Sequence, residues 1–140
     1  MKPEQILQRE CCKAFKAVYP KRLFIHIPNE RKSKMEVIYL KQQGTLKGCP
    51  DILIPEPIRC GYDAKYLDDF NPKKHLIRGY SGLWVELKCG KNKPTKDQKT
   101  VMQALKERGH AVAVCYNLSD FLMILEQYFS GKWINKEGDL

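Results

Sequence analysis

Two short apolar runs with charge in fixed places constrain this chain most. Gly48-Cys49-Pro50-Asp51-Ile52-Leu53-Ile54 sets one acid at the mouth of a run. Leu83-Trp84-Val85-Glu86-Leu87-Lys88 sets an acid and a lysine two positions apart inside another. Side chains on a strand alternate faces, so Glu86 and Lys88 point one way and Val85 and Leu87 the other. Two carboxylates and an ammonium brought together can hold a hard divalent cation with a water beside it. That is the minimum set for metal-assisted phosphodiester hydrolysis.

The rest of the chain supplies the frame. Ile6, Leu7, Cys11, Ala14, Phe15 and Val18 recur at helical spacing, so a helix is expected from Glu4 to Val18, before Pro20. Leu23 to Ile27 reads as a short strand. Residues 29–34 read as a polar loop, and Met35 to Gln43 as a short helix stopped by Gly44. Asp51 to Ile54 and Leu83 to Cys89 are the next strands. The stretch between them has no steady period and reads as an insertion, with a short helix near Tyr66. Thr95 and Gln98 form a capping-box pattern that opens a helix, and Gly109 suits its end. Ala111 to Cys115 is apolar throughout, the mark of a strand buried on both faces. Ser119 or Asn117 caps a last helix to about Phe129, and residues 131–140 read as a polar tail that frays. Helices alternating with strands in this order predict one mixed α/β domain around a small central sheet.

Composition narrows the function classes. A chain of 140 residues with 43% hydrophobic and 29% charged side chains fits one globular domain rather than a disordered segment. No apolar run is long enough to cross a bilayer, and the first residues lack the apolar core of a secretion signal, so a cytosolic protein is expected. The net charge is +9, and residues 109–140 hold only two of the basic side chains against four acids. A basic body of this kind suits a polyanion such as nucleic acid, or is simply that of a basic soluble protein. The six cysteines form no C-x-x-C pair, so they read as reduced, small apolar residues rather than zinc ligands or disulfides. The three histidines are scattered, and His26 and His110 read as strand residues.

Asp51, then Glu86 and Lys88, follow the order P-D, gap, E-x-K. In this the chain resembles the PD-(D/E)XK nucleases, and more narrowly the virus-type replication-repair nuclease (VRR-NUC) family. The narrower resemblance rests on further pieces in order: Glu4 opening the first helix, Ile27-Pro28-Asn29-Glu30, Gly48-x-Pro50-Asp51, Gly82 to Lys88, Pro94-Thr95-x-x-Gln98, and Gly109-His110-Ala111-Val112. It spans residues 4 to about 129. Two departures stand out. Cys49 replaces a small apolar residue, and Pro55 to Ser81 is longer than a compact member needs.

The resemblance implies a restriction-endonuclease-like core and a Mg²⁺- or Mn²⁺-dependent endonuclease. Asp51 and Glu86 would be metal ligands, with the Leu87 backbone carbonyl as a third and Glu4 reaching in directly or through water. Lys88 would hold the attacking water or meet charge developing on the phosphate. Gln98 would orient Lys88 or the phosphate. Asn29, Lys47, Lys91, Lys93, Lys96 and Lys99 would contact DNA. Small members of the family imply a homodimer acting on four-way junctions. Taken singly, each residue also has a plain reading. Asp51 suits a strand start after proline, Glu86 and Lys88 a solvated strand face, Glu4 the first turn of a helix, Gln98 a cap, and Asn29 a turn. A flap, nicking or restriction-type nuclease, a ribonuclease, and a basic DNA-binding module without catalysis are the alternatives.

Overall fold

The computed structural model describes residues 1–28, 33–66 and 68–137. Asn29 lies outside them. The chain runs α1 (Pro3–Val18), β1 (Ile25–His26), α2 (Lys34–Gln42), β2 (Ile52–Ile54), β3 (Gly61–Tyr62), a 3₁₀ turn (Ala64–Tyr66), α3 (Pro72–His75), β4 (Leu76–Ile77), β5 (Leu83–Leu87), α4 (Lys96–Glu107), β6 (Ala111–Cys115) and α5 (Leu118–Phe129).

Four strands form the central sheet in the order β1-β2-β5-β6. β1 with β2 and β2 with β5 are antiparallel, whereas β5 and β6 are parallel. A parallel neighbour needs a crossover, and α4 supplies it. The core lies on one face of this sheet. Leu7, Cys11 and Phe15 of α1 and Phe121, Ile124, Leu125 and Tyr128 of α5 pack there against Ile52, Ile54, Leu83, Val85 and Leu87. The opposite face carries Trp84, Glu86 and Lys88, and α4 sits over it with Val101 and Met102 buried. The mixed α/β class expected from the sequence is the class observed.

Three segments differ from expectation. The insertion has its own two-stranded sheet, β3 with β4, and a further bridge between Ile58 and Tyr80. It is rooted at Ile54 and Leu83, the end of β2 and β5 remote from Asp51 and Glu86. The tail does not fray up to residue 137. Trp133 is buried, and Asn135 accepts from Val112 N (2.8 Å) while donating to His110 O (2.9 Å). An asparagine amide thus stands in for a neighbouring strand, a role that a polar composition does not reveal. The strands read as Leu23–Ile27 and Leu83–Cys89 are shorter than expected: β1 pairs with β2 only at Ile25 and His26, and β5 ends at Leu87, where its ladder with β6 ends at Cys115.

Helix caps follow the sequence. Thr95 Oγ1 accepts from Gln98 N, and Gln98 Oε1 accepts from Thr95 N, the reciprocal capping box. Asn117, rather than Ser119, caps α5. All six cysteines are free thiols. Among the described residues no helix is long and apolar enough to cross a membrane.

Candidate active site

The register of β2 on β5 builds the site. Ile52 pairs with Val85, so one residue earlier Asp51 lies across from Glu86. Cross-strand partners point to the same face, with Cβ atoms about 5 Å apart. Asp51 Oδ2 accepts from the Leu87 backbone N–H at 2.7 Å. This bond ties the acid to β5 just past the end of the paired strand. Lys88 N–H donates to Cys115 O, on the β6 side. Alternation therefore turns the backbone groups of Leu87 toward β2, the side on which Asp51 stands.

Gly48 fixes the approach to Asp51. Its φ is +88°, and a Cβ there would lie 2.6 Å from the backbone carbonyl of Asp97. Only glycine lets the loop seat against the first turn of α4. Pro50, fully buried, then leads into β2. The same first turn carries Gln98, whose Nε2 donates to Glu86 Oε1 at 2.9 Å. Lys88 Nζ approaches that same oxygen at 3.8 Å. Gln98 thus reaches Lys88 only through the carboxylate that both hold.

The electrostatics of the pair are strained. Glu86 is 3% exposed, and Lys88 is buried beside it. Burial first, and then the Asp51 charge, push the Glu86 carboxyl up to about 8 from an ordinary 4.5, against the pull of Lys88. Asp51 is also raised, chiefly by burial and further by Glu4, although the Leu87 N–H and His26 pull it down. Glu4, near the start of α1, is thus close enough for its charge to be felt at both acids. Glu86 Oε2 is buried with no hydrogen-bond partner. An orphaned carboxylate oxygen beside a second carboxylate is the environment that a cation relieves.

Among the described residues no group of three His, Cys, Asp or Glu side chains stands ready to hold a metal. The donors are two carboxylates with backbone and water oxygens to complete the shell. That set suits Mg²⁺ or Mn²⁺, which take oxygen ligands; Mg²⁺ in particular keeps several waters. The fit is to a hard ion and not to zinc.

Some neighbours were not legible beforehand. His26 Nδ1 lies 3.2 Å from Asp51 O, brought there by β1 pairing with β2, and its charge favours the Asp51 carboxylate. Cys49 and Cys89 flank the acids. Burial raises the Cys49 thiol, helped by Glu86 and Asp51, and burial raises Cys89, helped by Glu4. The expected DNA-contacting lysines divide into two sets. Lys91, Lys93, Lys96 and Lys99 are exposed along the loop and first turn that follow Lys88. Lys47 is engaged with Asp97 at 3.2 Å on the surface.

Comparison with solved structures gives a VRR_NUC domain protein at a TM-score of 0.64, covering 93% of this chain and 90% of that one. The chain has the VRR_NUC fold. At 20% identity the likeness is one of fold. No family model matches the sequence, and no curated protein does. The mixed sheet with helices on both faces is the PD-(D/E)XK architecture expected from the sequence. Asp51, Glu86 and Lys88 meet at one end of that VRR_NUC sheet.

Proposed function

We propose that this protein is a divalent-cation-dependent endonuclease acting on DNA. One observation carries the reading: Asp51 and Glu86 face each other across β2 and β5, with Lys88 directed at Glu86. A like-charged buried pair opposes folding unless something binds it.

Asp51, Glu86 and the Leu87 carbonyl would hold Mg²⁺ or Mn²⁺, with Glu4 reaching the ion directly or through water. The ion, when bound, polarises a phosphate oxygen and lowers the pKa of a bound water. Lys88 then hydrogen-bonds that water or the phosphate, where negative charge develops. Gln98 keeps the Glu86 carboxylate in place through an amide that is itself fixed by the capping box. Lys91, Lys93, Lys96 and Lys99 meet backbone phosphates next to the reacting one, and Asn29 and Lys47 are weaker contacts of the same kind.

The substrate we propose is branched DNA, foremost the four-way junction, taken by two copies of the chain. A two-fold pair presents two equal sites for two symmetric nicks. Exposed apolar side chains offer such a contact on α1 (Ile6, Val18) and more densely on α2 (Met35, Val37, Ile38, Tyr39).

The test is direct. Purified protein is incubated with end-labelled four-way junction, flap, linear duplex and RNA, each with Mg²⁺, Mn²⁺ or chelator. Paired symmetric incisions in the junction support the resolvase reading. Cutting confined to flaps or duplex keeps the chemistry and changes the substrate. Binding without cutting under every metal overturns the nuclease reading.

A further inference from the structure

β6 is an edge strand, and its outer edge forms the floor of a groove of about 720 Å³ between α4 and α5. Among the described residues four lysines line the groove: Lys93 and Lys99 near the site, and at the far end Lys106 and Lys136, where Lys106 Nζ also donates to the Lys136 backbone carbonyl. The acid among the described lining residues, Asp120, sits in the first turn of α5 and already accepts from Tyr116 N at 3.4 Å.

The backbone of this edge is closed at both ends and open in the middle. Ala111 N–H donates to Gly82 O on the β5 side, so Val112 and Val114 turn their backbone groups outward. Asn135 takes Val112 N–H and His110 O, and Asp120 takes Tyr116 N–H. Among the described residues no hydrogen bond reaches Val114 N–H. Beside it, Tyr116 is exposed, with its hydroxyl fixed by a 3.0 Å bond to Asn92 O in the loop after the catalytic strand.

We propose that this groove holds a single strand of DNA running from the active site along β6. The inference rests on the nuclease reading for its direction, since Lys93 and Asn92 belong to the loop that leaves Lys88. Its chemistry stands alone. Lysines on the walls neutralise phosphates, Val114 N–H offers one backbone donor, and the fixed Tyr116 ring is a platform on which a base stacks. The volume is that of a small-ligand pocket, which admits a few nucleotides of one strand and not a duplex. A second copy of the chain is disfavoured, because it would set one lysine-lined groove against another.

The test uses the full chain in EDTA and a fluorescent oligo-dT, read by anisotropy against salt. Reversing Lys106→Glu with Lys136→Glu should weaken binding about tenfold or more and reduce the salt slope by about two. Met123→Trp, at a half-exposed position of the groove wall, should weaken it by filling the space, without a charge change. Lys13→Glu with Lys16→Glu on α1 alters net charge equally and should have less than about a third of the effect. Equal losses from the two charge-reversed pairs would overturn the proposal. So would unaltered oligo-dT binding in the groove variants, with or without their losing affinity for an extended acidic peptide. Junction cleavage with Mg²⁺ is scored on the same preparations. A groove effect without cleavage in wild type retains this inference and removes the nuclease reading, whereas cleavage without a groove effect does the reverse.

Discussion

Asp51 extends the β2–β5 register by one residue to lie across from Glu86, two acids on one face where opposite charges would stabilise the sheet. Lys88 and the Gln98 amide both converge on Glu86 Oε1, leaving Oε2 bare. The compensation within the protein is partial, and under the proposed function a cation would supply the remainder.

Asp51→Asn preserves the shape and the acceptor for Leu87 N–H but removes a charge. Cleavage should fall by at least about 10²-fold, as when a charge-stabilising group is lost from a reacting centre. Lys88→Ala should do the same. Junction affinity in EDTA should stay within about threefold, since neither residue supplies surface charge to the duplex. Undiminished cleavage by either variant would remove these residues from the site.

Gln98 serves two masters, so two substitutions separate them. Gln98→Glu keeps the capping pattern but faces Glu86 with an acceptor, whereas Gln98→Ala loses both roles. Melting temperature should fall in the alanine variant by the loss of about 1 kcal/mol of capping. Cleavage should fall in both by roughly tenfold, the scale of a misplaced catalytic neighbour. Normal cleavage in Gln98→Glu would show that capping is its whole contribution.

The raised Glu86 carboxyl makes the metal-free protein sensitive to pH. The folded state holds a proton that the unfolded state releases near 4.5, so stability falls as pH rises from that range through about 8 and levels off beyond. In EDTA the melting temperature at pH 9 should be lower than at pH 6 by at least about 3 °C. Glu86→Gln should flatten that difference, and an equal slope in the variant would assign it elsewhere.

Added Mg²⁺ or Mn²⁺ should raise the melting temperature at pH 8 and release protons, because a cation competes with protons for the same oxygens. Calorimetry in two buffers of different ionisation enthalpy measures the release. Asp51→Asn should bind at least about tenfold more weakly. Zn²⁺ selectivity over Mg²⁺ through thiolates would instead implicate Cys49 and Cys89.

Asn135→Ala should destabilise the fold by about 2 kcal/mol, since it strands Val112 N–H, His110 O and Trp133 Nε1 together. Urea unfolding measures it. Cleavage per folded molecule should stay near wild type, because Asn135 lies along β6 and away from the acids.

The primary sequence determined the four longer helices, the caps of α4 and α5 and the run of the central strands. Those follow from periodicity and local hydrogen bonding: Thr95 with Gln98, Gly109 at a left-handed turn, and the apolar Ala111–Cys115. It also singled out Asp51, Glu86 and Lys88, because charge inside an apolar strand is costly and therefore informative. Tertiary structure decided what each of them faces. The register that sets Asp51 across from Glu86, the turn of α4 that sends Gln98 to Glu86, and the β1 pairing that brings His26 to Asp51 are long-range. So is the docking of Asn135 on the edge of β6, in a segment whose polar composition suggested a loose end. Local sequence fixes which way a strand alternates, but only the packing of strands and helices on one another selects the neighbours across a sheet.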